Sequence, residues 1–530
     1  LLYLVMKYKE GVSMRRLFRP QQLLSLVFAL ITVIVILSGV STKQFVLAQS
    51  GTNPALVGSW AGPYPWPLVP IHASVGPNGK VIAWQRPKLA PANTPQSIVW
   101  DPNTKAFTSV PTVATDIFCA GHAFAPSGRL LVAGGHEGSP TPDPNQQADI
   151  GSNDSNVYDF NTNSWFSYID KMNKGRWYPT VTYLGNGEAA VVAGTNNDEQ
   201  DIVTIPEVWT SGATYRSLTA APQKLDNYPW GFVAPSGRVF YSGPNRTTRV
   251  LNTVGTGQWS TVSNSNLGDR FYGSSVMYDN GRVLIVGGGL EKYSGLPTNT
   301  AEVIDVAVSN QWIPVPSMAF RRRHHNATLL PDGKIIVTGG TSGSGFNTAI
   351  ENGVDRTVLP AEMWDPATKQ WSTMASMKVG RFYHSFAALL PDGRVLVGGG
   401  GLPLAAGEPS DGNDPKNQGH YDVEIYSPPY LFAGMRPTIA SAPTSVSYSQ
   451  QFAVNTPDAA NITSVSWIRL SSVTHGFNEN QRINRLNYTK TAGSLNVTAP
   501  SDRNLCPPGH YMLFILNNGV PSVAKIVQIS

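Results

Sequence analysis

Seven copies of one short segment carry side chains capable of redox and metal chemistry. Each copy is a tight turn with glycine, at Gly79, Gly128, Gly187, Gly237, Gly281, Gly333 and Gly393, feeding a short aliphatic run. Nine residues before that glycine the copies hold Pro70, Cys119, Tyr178, Tyr228, Tyr272, His324 and His384. In repeats that close around an axis, equivalent positions lie at equivalent radii, so this column predicts a ring of side chains at the mouth of a central channel. A purely structural ring would hold small or apolar residues. Imidazole nitrogen and phenolate oxygen together suit a tetragonal Cu(II) centre. Cys119 and Tyr178 stand on successive repeats and so within reach of each other, while Tyr383 and His325 flank their own ring positions. Taken singly, each Tyr or His reads as a partly buried structural residue. Their grouping on one ring is what points to a site.

The elements that must hold this ring follow from the repeat. The turn glycines are spaced 49, 59, 50, 44, 52 and 60 residues apart, and kelch blades have a period near 50. Most copies continue into a strand with an aromatic residue and a later aromatic partner, as in Met363-Trp364-Asp365 with Trp371, giving each unit four strands. The fold class predicted is all-β: a seven-bladed kelch-type β-propeller over 49–430, followed by an immunoglobulin-like β-sandwich over 431–530. An open β-solenoid or a row of sandwiches leaves the Gly-Gly ending of the repeated strand without a purpose. Gly and Pro make up 50 and 41 of the 530 residues, which favours turns over long helices. Hydrophobic residues at 41% and charged residues at 14% support a packed core and exclude a disordered or coiled-coil chain.

The net charge of +5 lies wholly in residues 1–48, and the remainder is neutral, with 33 basic and 33 acidic residues. A neutral body excludes nucleic acid as a partner on electrostatic grounds. Met14-Arg15-Arg16-Leu17-Phe18-Arg19, the apolar stretch Leu23 to Val40 and Val46-Leu47-Ala48 have the layout of a signal peptide, with Met14 read as the start. The apolar stretch is also long enough for an uncleaved membrane anchor. Either way the body is expected outside the cytoplasm, secreted and monomeric. Two cysteines, Cys119 and Cys506, exclude a disulfide-stapled scaffold and a Cys-rich zinc site, and leave room for one disulfide between them. Asn245, Asn326, Asn461, Asn487 and Asn496 begin glycosylation-acceptor triplets.

Four segments in order resemble the copper-radical oxidase family, galactose oxidase and glyoxal oxidase. They are Asp116-Ile117-Phe118-Cys119-Ala120-Gly121; Gly175-Arg176-Trp177-Tyr178; Arg381-Phe382-Tyr383-His384-Ser385 with the hairpin through Gly401; and Val473-Thr474-His475 with Gln481-Arg482. The resemblance spans about residue 55 to 530. It implies that Tyr178, Tyr383, His384 and His475 bind one copper ion. It further implies that Cys119 is joined to the ring of Tyr178 by a thioether, making a protein-derived radical cofactor, and that a loop of the sandwich delivers His475 to the propeller axis. By that resemblance Tyr383 is the general base and Tyr178 the hydrogen-atom acceptor, with dioxygen reduced to hydrogen peroxide. The implied substrate is a small aldehyde or primary alcohol.

Two departures from galactose oxidase stand out. Its shielding Trp, eighteen residues beyond the Tyr, is here Asn196, and Trp177 belongs instead to an Arg-Trp-Tyr string similar to the glyoxal oxidase side. Its N-terminal carbohydrate-binding sandwich has no counterpart before the first blade, which argues against galactose as the substrate. Cys506 and His510 are read as structural. His324, His325, Tyr228 and Tyr272 fit either the substrate mouth or channel filling. The alternative of a different class is an extracellular kelch binding protein without metal.

Overall fold

Each turn glycine of the repeat adopts a left-handed conformation, with φ between 75° and 87° at all seven positions. A side chain is disfavoured there, so glycine closes the tight turn between the two innermost strands of each sheet. The computed structural model describes residues 53–530 apart from 88–94, 112, 114, 138–149, 169, 199, 211–213 and 403–418. The leader predicted over 1–48 lies outside the described residues.

Among the described residues, seven sheets each contain a four-strand antiparallel meander. The first runs through His72–Val75, Val81–Trp84, Ser97–Trp100 and Phe107–Ser109. Five more follow in chain order, with inner strands Gly121–Phe124, Thr180–Tyr183, Gly231–Val233, Ser274–Asp279 and Arg323–Leu329. The last has Ser385–Leu389, Val395–Gly399 and Asp422–Ser427, and its outer strand is the N-terminal Ser59–Pro65, with Ser59 opposite Ser427. Chain start and propeller end are thereby fastened in one sheet. The two inner strands of the sheets are almost wholly buried and read as continuous apolar runs, whereas outer strands such as Phe107–Ser109 and Gln258–Asn264 are largely exposed. That gradient is expected when neighbouring sheets pack face to face around an axis.

The C-terminal part is a sandwich. Gly509–Asn517 and Ser464–Arg469 are central in one sheet, and Gln451–Asn455, Ser494–Thr498 and Tyr488–Thr491 form the other. Gln451–Asn455 alternates exposed and buried residues, the signature of a sheet with one wet face. Cys506 is buried in its core among Trp467, Tyr511 and Leu513, and neither cysteine is in a disulfide. The Cys119–Cys506 pairing is therefore excluded. Among the described residues no helix is long and apolar enough to cross a membrane. Asn326 is buried and donates to Ser385 Oγ, which removes it as a glycosylation acceptor, while Asn461 and Asn487 are exposed.

A hairpin of the C-terminal part, Ser472–Thr474 with Phe477–Asn478, leaves the sandwich and pairs with the innermost strand of the first blade. His72, Ala73 and Ser74 stand opposite Thr474, Val473 and Ser472. Side chains just after it anchor it to other blades. Glu479 Oε2 accepts from His122 N (3.2 Å) and Val181 N (2.7 Å), and Gln481 bonds both ways to the sixth blade through Leu329 N and Ala327 O.

Candidate functional site

Apart from Pro70, the ring column has a common backbone conformation. Cys119, Tyr178, Tyr228, Tyr272, His324 and His384 all have φ between 46° and 70°, and His475 at the hairpin turn has φ 49°. Left-handed geometry at non-glycine residues costs about 1–3 kcal/mol each and persists only where surroundings over-determine it. Here each residue sits at or just before the start of an innermost strand, His324 being the second residue of its strand, and successive blades are laced together at this level. Tyr178 N donates to Cys119 O (2.9 Å), Tyr228 N to Tyr178 O (3.0 Å) and His324 N to Tyr272 O (2.7 Å).

Four buried arginines brace the same level. Arg176, Arg270, Arg322 and Arg381 precede the ring residue of their blade by two or three positions, and each donates through Nη1 to a carbonyl near the end of the second strand, at Ala193, Gly287, Gly339 and Gly399 (2.8–3.1 Å). Each pairs with a buried glutamate on the third strand: Glu207 (2.9 Å), Glu302 (3.0 Å), Glu362 (2.5 Å) and Glu424 (3.6 Å). Those carboxylates also accept backbone N–H groups from the segment entering the ring, such as Asn173 N on Glu207 (2.8 Å) and Lys378 N on Glu424 (2.9 Å). Each buried charge is thus paired and hydrogen-bonded, the condition under which burial is tolerated.

The five residues singled out in sequence meet at one point. The hydroxyls of Tyr178 and Tyr383 are in direct hydrogen-bond contact. Cys119 Sγ lies 3.7 Å from His475 Nε2, and the ligand atoms of Cys119, His384 and His475 all fall within 4.8 Å of one another. Tyr383 stacks on His384 with ring centroids 3.8 Å apart, and His475 meets His384 edge-on at 4.7 Å. His384 Nδ1 donates to Gly401 O (3.1 Å), which leaves Nε2 buried without a partner. His475 Nδ1 is bonded to Thr474 Oγ1 (2.6 Å), so its Nε2 likewise faces the cluster.

Burial disfavours the charged forms of Tyr178, His384 and His475. It pushes the Tyr178 phenol well above its usual value, with Cys119 and Tyr383 adding to the effect, and it lowers His475, and His384 to about 3. Two phenols in contact, beside two imidazoles with aimed lone pairs, form a donor set that a divalent cation would satisfy, since the cation itself favours loss of the phenolic protons. The residues present therefore fit a copper ion.

The site forms the floor of a cleft of about 290 Å³ whose walls include Arg86, Phe118, Trp230, Tyr272, Tyr293 and Phe346. Trp177 lies against Tyr178 with ring centroids 4.0 Å apart, so the aromatic cover comes from the residue next in sequence. Asn196 takes no part in that cover: its Oδ1 accepts from Gly175 N (3.1 Å) in a loop. Tyr228 packs on Tyr178 and His475 and donates to Ala120 O. His324 joins Tyr272, Phe346 and Tyr383 in an aromatic wall, its Nε2 on Phe346 O (2.7 Å). His325 points away from the ring to Val286 O (3.1 Å) and is structural. Sequence reasoning missed Phe346, whose signal was a lone aromatic within Ser342-Gly343-Ser344-Gly345-Phe346. It also missed His72 and His122, polar residues inside otherwise apolar innermost strands.

Acid should weaken the copper-free fold. His122 and His325 are held at about 3 by burial against an ordinary 6.5, so as pH falls the unfolded chain takes up protons first. Their contribution is present in full above 6.5 and is lost progressively towards 3. The melting temperature is expected to fall steadily between about pH 7 and pH 4; a flat profile would contradict neutral burial.

Comparisons with known proteins match several regions of the chain. Residues 436–529 match the family described as "Galactose oxidase-like, Early set domain", 297–430 match "Glyoxal oxidase N-terminus" and 270–319 match "Kelch motif". A galactose oxidase of Gibberella zeae is 29% identical over 514 residues, 89% of this chain and 71% of that protein. An aldehyde oxidase GLOX of Vitis pseudoreticulata is 25% identical over 525 residues, 93% of this chain and 95% of that one. A solved structure described as a novel fungal alcohol oxidase of the AA5 family in complex with copper superposes with a TM-score of 0.77 at 26% identity, covering 89% of this chain and all of that one. Over most of its length the chain is similar to galactose oxidase and to glyoxal oxidase. Its glyoxal oxidase match contains Tyr383 and His384, and its galactose oxidase-like early set match contains His475.

Proposed function

We propose that this chain is an exported copper-radical oxidase that converts a small primary alcohol to its aldehyde, or an aldehyde hydrate to its acid, with dioxygen reduced to hydrogen peroxide. The observation that carries this reading is the convergence of Tyr178, Tyr383, His384 and His475 with Cys119 on one buried point, His384 Nε2 being left without a partner. The named oxidases among its relatives and the copper complex of the structural neighbour support it.

Tyr178, Tyr383, His384 and His475 would hold the copper. When bound, the metal supplies Lewis acidity towards a substrate hydroxyl and a one-electron redox couple. The protein's own groups do the rest. Gly401 O and Thr474 Oγ1 fix the two imidazoles so that their Nε2 atoms face the cluster, as outer partners of metal-binding histidines do. Tyr383, which lines the cleft and would be a phenolate with the metal bound, accepts the substrate's hydroxyl proton as general base. Tyr178, joined to Cys119, stores the oxidising equivalent that removes hydrogen from the adjacent carbon, because sulfur and an extended π-system stabilise an oxidised ring. Trp177 keeps water from that ring. A cleft of about 290 Å³ is at the lower end for ligand sites and suits a small substrate.

Intact mass after loading with Cu(II) in air tests the reading. A product lighter by two hydrogens, with the Cys119 and Tyr178 peptides still joined after reduction, is expected. Peptides recovered separately and no copper retained would overturn it and leave a metal-free binding protein. A peroxide-coupled assay over glyoxal, methylglyoxal, glycerol, benzyl alcohol and galactose then assigns the substrate.

A further inference from the structure

Beneath the ring, on the axis, two histidines that the proposed chemistry does not use link the site to the C-terminal hairpin. Cys119 N donates to His72 Nε2 at 3.0 Å, so that nitrogen is an acceptor and the His72 proton must sit on Nδ1. His72 Nδ1 is 3.2 Å from His122 Nε2, which therefore accepts, and the His122 proton is on Nδ1, 2.6 Å from Ser472 Oγ. Ser472 Oγ donates on to His122 O (2.7 Å). Every tautomer in this relay follows from the one before it. A doubly protonated His72 would lose the acceptor that Cys119 N needs, and burial holds both imidazoles below their ordinary value. Trp84 stacks on His72 with centroids 4.8 Å apart and planes within 4°, and its Nε1 donates to Ile117 O in the segment entering Cys119. The far end of the relay, Ser472, belongs to the strand that leads into His475.

We propose that His72 is a positioning residue for cofactor formation, seating the left-handed Cys119 backbone against Tyr178 through the Cys119–His72–His122–Ser472 relay. This rests on the reading that Cys119 and Tyr178 become joined. Formation of the Cys119 Sγ to Tyr178 ring bond removes one hydrogen from the thiol and one from a ring carbon. Those two protons and two electrons pass to dioxygen, giving one hydrogen peroxide. Bond formation between two side chains held at contact is sensitive to small displacements, and the relay removes the freedom of the thiol-bearing residue.

The test follows the two-hydrogen mass loss with time in full-length, copper-free protein given Cu(II) and air. His72→Phe keeps the bulk and the stack on Trp84 but removes the acceptor, and it is expected to slow the loss by about ten- to a hundredfold. His72→Gln, whose side-chain oxygen can accept, should recover most of the rate; a purely space-filling role predicts the opposite order. Melting temperature and copper uptake are recorded alongside. A wild-type rate in His72→Phe overturns the proposal and leaves the oxidase reading intact. Failure of the wild-type chain to lose two hydrogens overturns both. Should His72→Phe not fold, Ser472→Ala breaks the relay at its far end: slower joining supports the proposal, and an unchanged rate overturns it.

Discussion

Replacing Tyr383 by Phe is expected to lower kcat by about 10²–10⁴-fold, the usual worth of a positioned general base. The prediction is specific because Phe keeps the stack on His384 and removes only the oxygen that touches the Tyr178 hydroxyl. Cys119 and Tyr178 are untouched, so the two-hydrogen mass loss should still occur, and His384, His475 and Tyr178 remain to take up copper. Steady-state kinetics by peroxide release, with intact mass and copper content on the same sample, separate these effects. A loss of less than tenfold, with full joining and full copper, would remove Tyr383 as the base.

Glu207→Ala should be the most damaging substitution remote from the chemistry, lowering stability by about 3–5 kcal/mol because it leaves a fully buried guanidinium without its counter-charge. Arg176 would keep its bonds to Ala193 O and Ile205 O, and Asn173 N would lose its acceptor. Glu207→Gln, which retains an acceptor oxygen without the charge, should cost less. Because Arg176 precedes Tyr178 by two residues, the alanine variant is also expected to join Cys119 to Tyr178 more slowly. Urea unfolding checks the first effect, and a shift below about 1 kcal/mol would show that the guanidinium finds another partner.

The ring of side chains was visible in the sequence because one device fixes it in six of the seven blades, Pro70 of the first being the exception. A left-handed residue turns the chain into the innermost strand, and the glycine of the following turn, nine positions on, sets the register. Cys119, Tyr178 and His384 could therefore be aligned without any contact information. The supports were much less legible. The Arg–Glu braces join positions 31 to 43 residues apart, and nothing local in Arg322 or Glu362 announces that both will be dry. The hairpin was harder still. Ser472–Thr474 is three residues long and pairs with a strand some 400 positions earlier, so neither periodicity nor turn chemistry reveals its partner. Its delivery of His475 came from resemblance alone. The cover over Tyr178 shows a third kind of limit, since the expected Trp position holds Asn196 and only packing places Trp177 against the Tyr178 ring.

The hairpin also imposes an order on the life of the molecule. A growing chain that has completed all seven sheets still lacks His475 and the Ser472 end of the relay, so its propeller can close before it can hold a full set of donors. Only when the last hundred residues have been made and folded does the centre become whole. With the proposed function, such a chain is silent until its synthesis is complete. Fragments released early by proteolysis or interrupted translation would carry the thiol and both phenols without the means to generate peroxide beside them.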